Sequence, residues 1–342
     1  MTHESQNKTI KVAAFTGRLD DPASYFRMRQ YFPKLQSAGL KIQDFNHPCV
    51  HGCWHRGPLK VIPYLPAIFE SRKFDLIWLC RTMVRGAETF ERLLKRPRVM
   101  DVDDAIWLNR PLGRQTVPHI ARGMDAVIAG NQFLADWFGK YCRQVYIVPT
   151  AIDLERYRLR PSAPPADKFV IGWTGTSSNF KYLRIIEKPL LRFLSKYPDS
   201  QFKIIADARW RSDIVPPDKI LFVPWSRDIE VTALYDMSVG VMPLADNQWT
   251  RGKCGFKVLQ YMAVGLPVIA SPVGMNNEIL EKGRVGLAAK NENEWYEAFE
   301  ELYRQRHLGY ELGKIGRKIV EEYFSAQMVA QRLFSILKTL AE

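Results

Sequence analysis

Short apolar runs rich in valine and isoleucine recur along this chain, and stretches patterned for helices lie between them. Such runs bury both faces of a strand, which happens in parallel sheets covered by helices, so the alternation confines the chain to a doubly wound α/β arrangement. In the first half it predicts strands at Ile10–Thr16, Leu40–Phe45, Asp75–Leu79, Arg98–Val102, Ala126–Ala129 and Val145–Val148. After Tyr157 the pattern breaks into LRPSAPPAD, whose prolines and small residues suit an exposed linker. It restarts at FVIGWTG, continues through FKIIAD, ILFVPW, VGVMPL, PVIAS and VGLAA, and ends in three helical patterns.

At 342 residues the chain exceeds what one hydrophobic core serves. The expected organisation is a first Rossmann-like domain over 1–158, a linker over 159–167, a second Rossmann-like domain over 168–324 and a C-terminal helix over 325–342. Ser325 is the expected N-cap of that helix, and Val329, Leu333, Phe334, Ile336, Leu337 and Leu340 form an apolar stripe expected to pack back toward the first domain. Open sheets of this kind bind ligands beyond the carboxyl ends of their strands, so two of them are expected to face a central cleft.

The densest signals lie in WTRGKCGFKVLQYMAVGLPVIASPVG, from Trp249 to Gly274. Gly255 stands where a helix should begin, and the first-turn amides of Gly255, Phe256 and Lys257 would offer an anion the positive end of the helix dipole. Lys257 and Gln260, three apart, share one helical face, a cation for a diphosphate beside an amide for ribose hydroxyls. Arg251 and Lys253 add charge. The plainer alternative is an amphipathic helix with a solvated lysine. Upstream, GWTGTSSNFKYL follows a strand: Gly175 permits close backbone approach, Ser177 or Ser178 would cap a helix with Lys181 in its first turn, and Pro189 would restart it.

In the first half, Asp101 stands near the end of the strand RVMDV, and Asp103 and Asp104 follow it. An Asp-x-Asp there could carry a divalent metal as in GT-A-type enzymes, or brace a loop as a helix cap; lysines in the second half make a metal redundant. The loop GRLDDPASYFRMRQYF sets Gly17, Arg18, Arg27 and Arg29 beside the first strand end, where an acceptor phosphate is a natural partner. In HPCVHGCWHR, His47, Cys49, His51, Cys53 and His55 alternate; extended-chain spacing is too wide for one zinc ion unless the segment folds sharply, and an acceptor-facing loop is the preferred reading.

The stretches GKCGFKVLQYMAVGLPVIASPVG, GWTGTSSNFKYL and VGVMPLADNQWTRG, together with ASYFRMRQYFPKL, DVDDAIW, VIAGNQFLADWF and YIVPTAID, resemble family-four glycosyltransferases of GT-B fold over nearly the whole chain. The resemblance implies a sugar transfer from a nucleoside diphosphate sugar with retention; lysines and helix-start amides would stabilise the departing diphosphate without a metal, and no cofactor is expected. It implies that Lys181 binds the donor diphosphate, that Gln260 stands at a ribose-holding glutamate, and that Asp103 and Asp104 take the place of a His-Asp pair turned toward the donor sugar, as the catalytic candidates. Three positions depart from the pattern: Thr176 replaces an arginine, Gly252 replaces the first of two glutamates and Gln260 the second.

Charge adds a partner class. Residues 1–160 hold 25 Lys+Arg against 15 Asp+Glu, an excess of 10, out of a formal +13. That surplus favours an anionic membrane surface or a lipid-linked phosphate, with nucleic acid the less favoured partner and solubility the plainer explanation. No apolar run approaches membrane-spanning length, and five cysteines argue against a disulfide framework, so the expected location is the cytoplasm or the inner face of a membrane. The reading is a glycosyltransferase acting on a glycan or lipid-linked acceptor in polysaccharide or glycoconjugate synthesis. Its rivals are a sugar-nucleotide epimerase or hydrolase on the same fold, and a non-catalytic protein that binds sugar nucleotide or nucleic acid.

Overall fold

A computed structural model describes residues 9–46, 62, 64–161 and 167–342. The chain divides into two units: the first runs to Ala151 and takes in Gly252–Cys254 and Ala326–Glu342, and the second comprises Ile152–Arg251 and Gly255–Ser325. The HPCVHGCWHR segment and residues 162–166 of the expected linker lie outside the described residues.

The first unit is built on strands β1 (Ile10–Thr16), β2 (Leu40–Asn46), β3 (Leu76–Cys80), β4 (Arg98–Val102), β5 (Ala126–Ala129) and β6 (Val145–Ile147), all parallel, in the order β2-β1-β3-β4-β5-β6. β3, β4 and β5 are buried along their whole length, as continuous apolar runs require. Because β1, β3 and β4 are neighbours, the loops at Gly17, Arg81 and Asp103 emerge side by side. The terminal helix Ala326–Ala341 belongs to this unit: Val329, Leu333, Ile336 and Leu337 are buried in one cluster with Val12, Leu35 and Trp78.

The second unit carries β7 (Phe169–Thr174), β8 (Ser200–Ala206), β9 (Ile220–Pro224), β10 (Val239–Met242), β11 (Val268–Ala270) and β12 (Gly286–Ala288), also parallel, in the order β12-β11-β10-β7-β8-β9. The order reverses where β7 meets β10, the kind of switch point at which open sheets bind ligands. This unit starts before the expected linker. Ile152 donates its amide to the Phe324 carbonyl, and Tyr157 is 1% exposed in the second core. Ser177–Ile185 forms a 3-10 helix, and the following α-helix begins at Glu187, with Pro189 in a first turn where its missing N–H costs nothing. No helix among the described residues is long and apolar enough to cross a membrane.

Candidate functional site

In the second unit the loop after β7 and the helix Phe256–Ala263 come together. Gly255 starts that helix with φ of 64°, a left-handed conformation that glycine adopts without steric cost, and no side chain caps the turn. The first-turn N–H groups of a helix are donors that an anion can use. A Cβ on Gly175 would stand 2.4 Å from Lys257 Cε and 2.9 Å from the Trp173 ring. Only a residue without a side chain lets the Lys257 stem lie there, and it brings Nζ within 5.5 Å of the Trp173 ring centroid. Phe256 is half-buried against the cluster that holds Tyr157 and Val258. Lys181 is exposed on the 3-10 turn, its Nζ 5.1 Å from the Tyr182 ring centroid.

Several expectations need correction here. No serine caps the turn at Ser177: Asp207, just past β8, accepts the Ser177 amide at 2.6 Å and its hydroxyl at 3.0 Å, so a carboxylate already occupies that helix start. Arg251 spends its fork on Asp246 through bonds of 2.6 and 2.9 Å. Gln260 does not point its amide at a ribose. It is 4% exposed, and Nε2 donates to the Tyr157 hydroxyl at 2.8 Å and to Glu230 at 3.0 Å. Arg156 closes this network on Glu230, and burial with the nearby Glu230 charge holds the Tyr157 hydroxyl well above its ordinary pKa.

In the first unit the arginines of the β1 loop are likewise committed. Arg27, 2% exposed, donates to Asp101 at 2.7 Å, the Val148 carbonyl at 2.9 Å and Thr150 at 3.2 Å. Burial pushes the Asp101 carboxyl up to about 6 despite the opposing Arg27 charge. Arg29 donates to Asp44 at 2.8 Å, to Thr16 and to the carbonyls of Gly17 and Arg18. Both guanidiniums brace the loop, and Arg27 Nη2 is left buried without a hydrogen-bond partner. The Gly17 amide donates to Ser24 Oγ at 2.8 Å, and Arg18, with a side chain 60% exposed, pairs with Asp20. Of the four, Arg18 alone remains exposed.

Asp103 and Asp104 lie together at the end of β4, and sequence reasoning missed their partner. Arg81, the residue after β3, donates Nε to Asp103 Oδ1 at 2.6 Å and Nη2 to Asp104 Oδ2 at 2.8 Å. Burial works against ionisation of Asp103, but the guanidinium outweighs it and holds that carboxyl below the usual range. At Asp104 burial prevails and the pKa is raised, with Arg81 and Lys253 pulling the other way. Lys253 thus belongs with the first unit, near Asp104; its carbonyl accepts from Asn131 Nδ2 at 3.1 Å. Cys254 Sγ lies 3.2 Å from the Asp103 carbonyl. A Cβ on Gly252 would stand 2.8 Å from the Ala105 amide nitrogen, so the space in which the resemblance would put a glutamate is closed by backbone. Among the described residues no group of three or more His, Cys, Asp and Glu side chains is placed to hold a metal. The His-Cys segment lies outside that statement.

Two parallel six-stranded sheets with covering helices define the class: this is the fold of GT-B glycosyltransferases. Residues 168–305, the bulk of the second unit, match the family model described as glycosyl transferases group 1. Spore coat protein SA of Bacillus subtilis (strain 168) is 25% identical over 186 residues, covering 49% of this chain and 48% of that protein, so the chain matches about half the length of this curated relative. Among solved structures, a glycosyltransferase from Rickettsia africae superposes with a TM-score of 0.76 at 11% identity over 98% of this chain and 99% of that one. Anabaena HepE in complex with UDP-glucose gives 0.66 at 14% identity over 97% and 100%.

Proposed function

We propose that this protein is a glycosyltransferase that moves a sugar from a nucleoside diphosphate sugar to a glycan or lipid-linked acceptor in polysaccharide or glycoconjugate synthesis, with retention and without metal. The observation that carries it is the Lys257 side chain laid through the gap left by Gly175, at the uncapped start of the Phe256–Ala263 helix and beside the β7–β10 switch point. That combination offers a diphosphate a cation and the positive end of a helix dipole. The glycosyl transferase match falls on the same residues, and UDP-glucose is the ligand named for the HepE structure.

In the reaction the bond between the anomeric carbon and the diphosphate oxygen breaks while the acceptor oxygen bonds to that carbon. Negative charge grows on the departing diphosphate, and Lys257, Lys181 and the helix-start amides stabilise it. With no nucleophile assigned, the acceptor proton passes to the departing phosphate oxygen in a front-side attack. Asp103 and Asp104 are the carboxylates proposed to act on the sugar, and Arg18 with the basic surplus of the first unit meets an anionic acceptor or membrane surface at the cytoplasmic face.

Thermal melting with UDP, GDP, ADP and TDP and their sugars tests the reading. One nucleotide should raise the melting temperature, because a ligand at a hundred times its Kd adds about 2.7 kcal/mol to the native state. Lys257→Ala should weaken that nucleotide by roughly ten- to a hundred-fold, as expected for one charge-assisted contact. A protein whose melting ignores every nucleotide would sink the proposal.

A further inference from the structure

We propose that Arg81 is the positioning residue of the Asp103–Asp104 pair, a built-in cation that holds the place between the two carboxylates which a divalent metal would otherwise take. This rests on the reading of Asp103 and Asp104 as groups acting on the sugar, but one arm of its test does not.

The argument begins with backbone geometry. Arg81 has φ of 58°, and among the described residues it is the one non-glycine in the left-handed region. Such a conformation is sterically costly for an L-residue with a Cβ. A side chain that only decorated the surface would leave that cost uncompensated, and a glycine would have avoided it. The conformation is fixed on the strand side by the Arg81 amide, which donates to the Asp101 carbonyl at 2.8 Å as a continuation of the β3–β4 pairing. Turning left at that point sends the side chain across the end of β4 rather than along the sheet, and there its two donor edges reach two different carboxylates.

The fork matters more than the charge. Nε binds Asp103 and Nη2 binds Asp104, from side chains that are 16% and 20% exposed, under an arginine that is 19% exposed. One oxygen of each carboxylate is thereby bound, and the other is left outside the fork. A lysine could neutralise one carboxylate but could not hold two in a fixed plane. Both carboxylates raise the Arg81 pKa further against the opposing effect of burial, so the cation is permanent. A divalent ion between Asp103 and Asp104 would have to displace it. The arrangement therefore answers the ambiguity in DVDDAIW: the spacing is one a metal could use, and a guanidinium has been put there instead.

Calorimetric titration with Mn²⁺ is the arm that needs no turnover. Arg81→Asn keeps a residue type that tolerates the left-handed backbone, and this variant should gain at least tenfold in Mn²⁺ affinity over the wild-type protein. The gain should vanish in the triple variant that also carries Asp103→Asn and Asp104→Asn. Wild-type protein binding Mn²⁺ as tightly as Arg81→Asn, or a gain that survives in the triple variant, overturns the proposal. The second arm is kinetic, with the nucleotide sugar found by melting. Arg81→Asn should lose about a hundredfold in kcat, the order expected when a preorganised charged group is misplaced, with KM for the donor changed less than threefold, and Arg81→Lys should recover part of it. An unchanged kcat, or a loss carried by KM alone, also overturns it. Arg81→Gly, which removes the backbone strain but leaves the two carboxylates without their cation, separates the two effects: it should melt no lower than Arg81→Asn and still gain Mn²⁺, and a glycine variant that gains no Mn²⁺ overturns the proposal. If no donor is turned over by the wild-type protein, the proposed function fails while the Mn²⁺ arm still decides the role of Arg81.

Discussion

At the scale of single residues, what separates this chain from the pattern it resembles is where negative charge has gone. Gly252 cannot carry a side chain against the Ala105 backbone, and Gln260 has turned its amide into a donor for Glu230 and Tyr157. A glutamate at 260 would meet those same two partners with a charge in place of a donor. Gln260→Glu should lose both donated bonds and set a second carboxylate against Glu230, costing about 1–3 kcal/mol. Like charges keep one of the two protonated until the pH is high enough to ionise both, so the loss should grow from acid to neutral pH. Chemical denaturation at pH 5 and pH 8 measures it, and a variant as stable as wild type at both would refute the account. The helix start at Gly255, with Lys257 in its first turn, was legible because a glycine ahead of an apolar-periodic run is a local signal. The partners were not: Arg27 meets a carboxylate 74 positions away and Gln260 a tyrosine 103 away, so no local pattern tells a committed arginine or amide from a waiting one.

Elements were read more reliably. Strands appeared within a residue or two of expectation because β-branched runs buried on both faces leave little choice of register. The 3-10 turn at Ser177–Ile185 escaped because its geometry follows from Asp207 at the end of another strand. Helix pairing offers its own test. Glu300, on the helix Glu292–Arg304, accepts from Lys196, Tyr296 and Tyr197, tying that helix to Glu187–Lys196 and the residue after it. The Lys196 bond, with those of the two tyrosines, holds its carboxyl down from 4.5 to about 2. A depressed carboxylate stabilises the fold above its unfolded pKa, and that contribution disappears as the pH falls through the folded value. The melting temperature of wild type should exceed that of Glu300→Gln at pH 6, and the gap should narrow below pH 4.5 toward pH 2. A gap independent of pH would show that the bonds matter through shape and not charge.

For the whole molecule, sequence order and unit membership diverge. Residues 152–158, expected in the first domain, belong to the second, and the closing helix belongs to the first. The apolar stripe made the helix predictable, whereas the early boundary was hidden because Ile152 and Tyr157 join their core by contacts with Phe324 and Gln260, far along the chain. Val329, Leu333, Ile336 and Leu337 together bury side chains contributing about 6–12 kcal/mol at 1.5–3 kcal/mol each. That is comparable with the whole stability of an ordinary domain. Truncation after Ser325 should therefore unfold the first unit and leave nucleotide-induced stabilisation of the second; retention of a native near-ultraviolet spectrum by the first unit's tryptophans would contradict it.

The same returning helix sets an order of events during synthesis. A ribosome that has finished Ala151 has made the sheet strands of the first unit but must go on to Ala326–Ala341 before the exposed apolar face of that sheet can be covered. At 5–20 residues per second the interval is on the order of ten to forty seconds. The half of the molecule that is born first is thus the half that must wait, and its nascent sheet is where a chaperone would be needed.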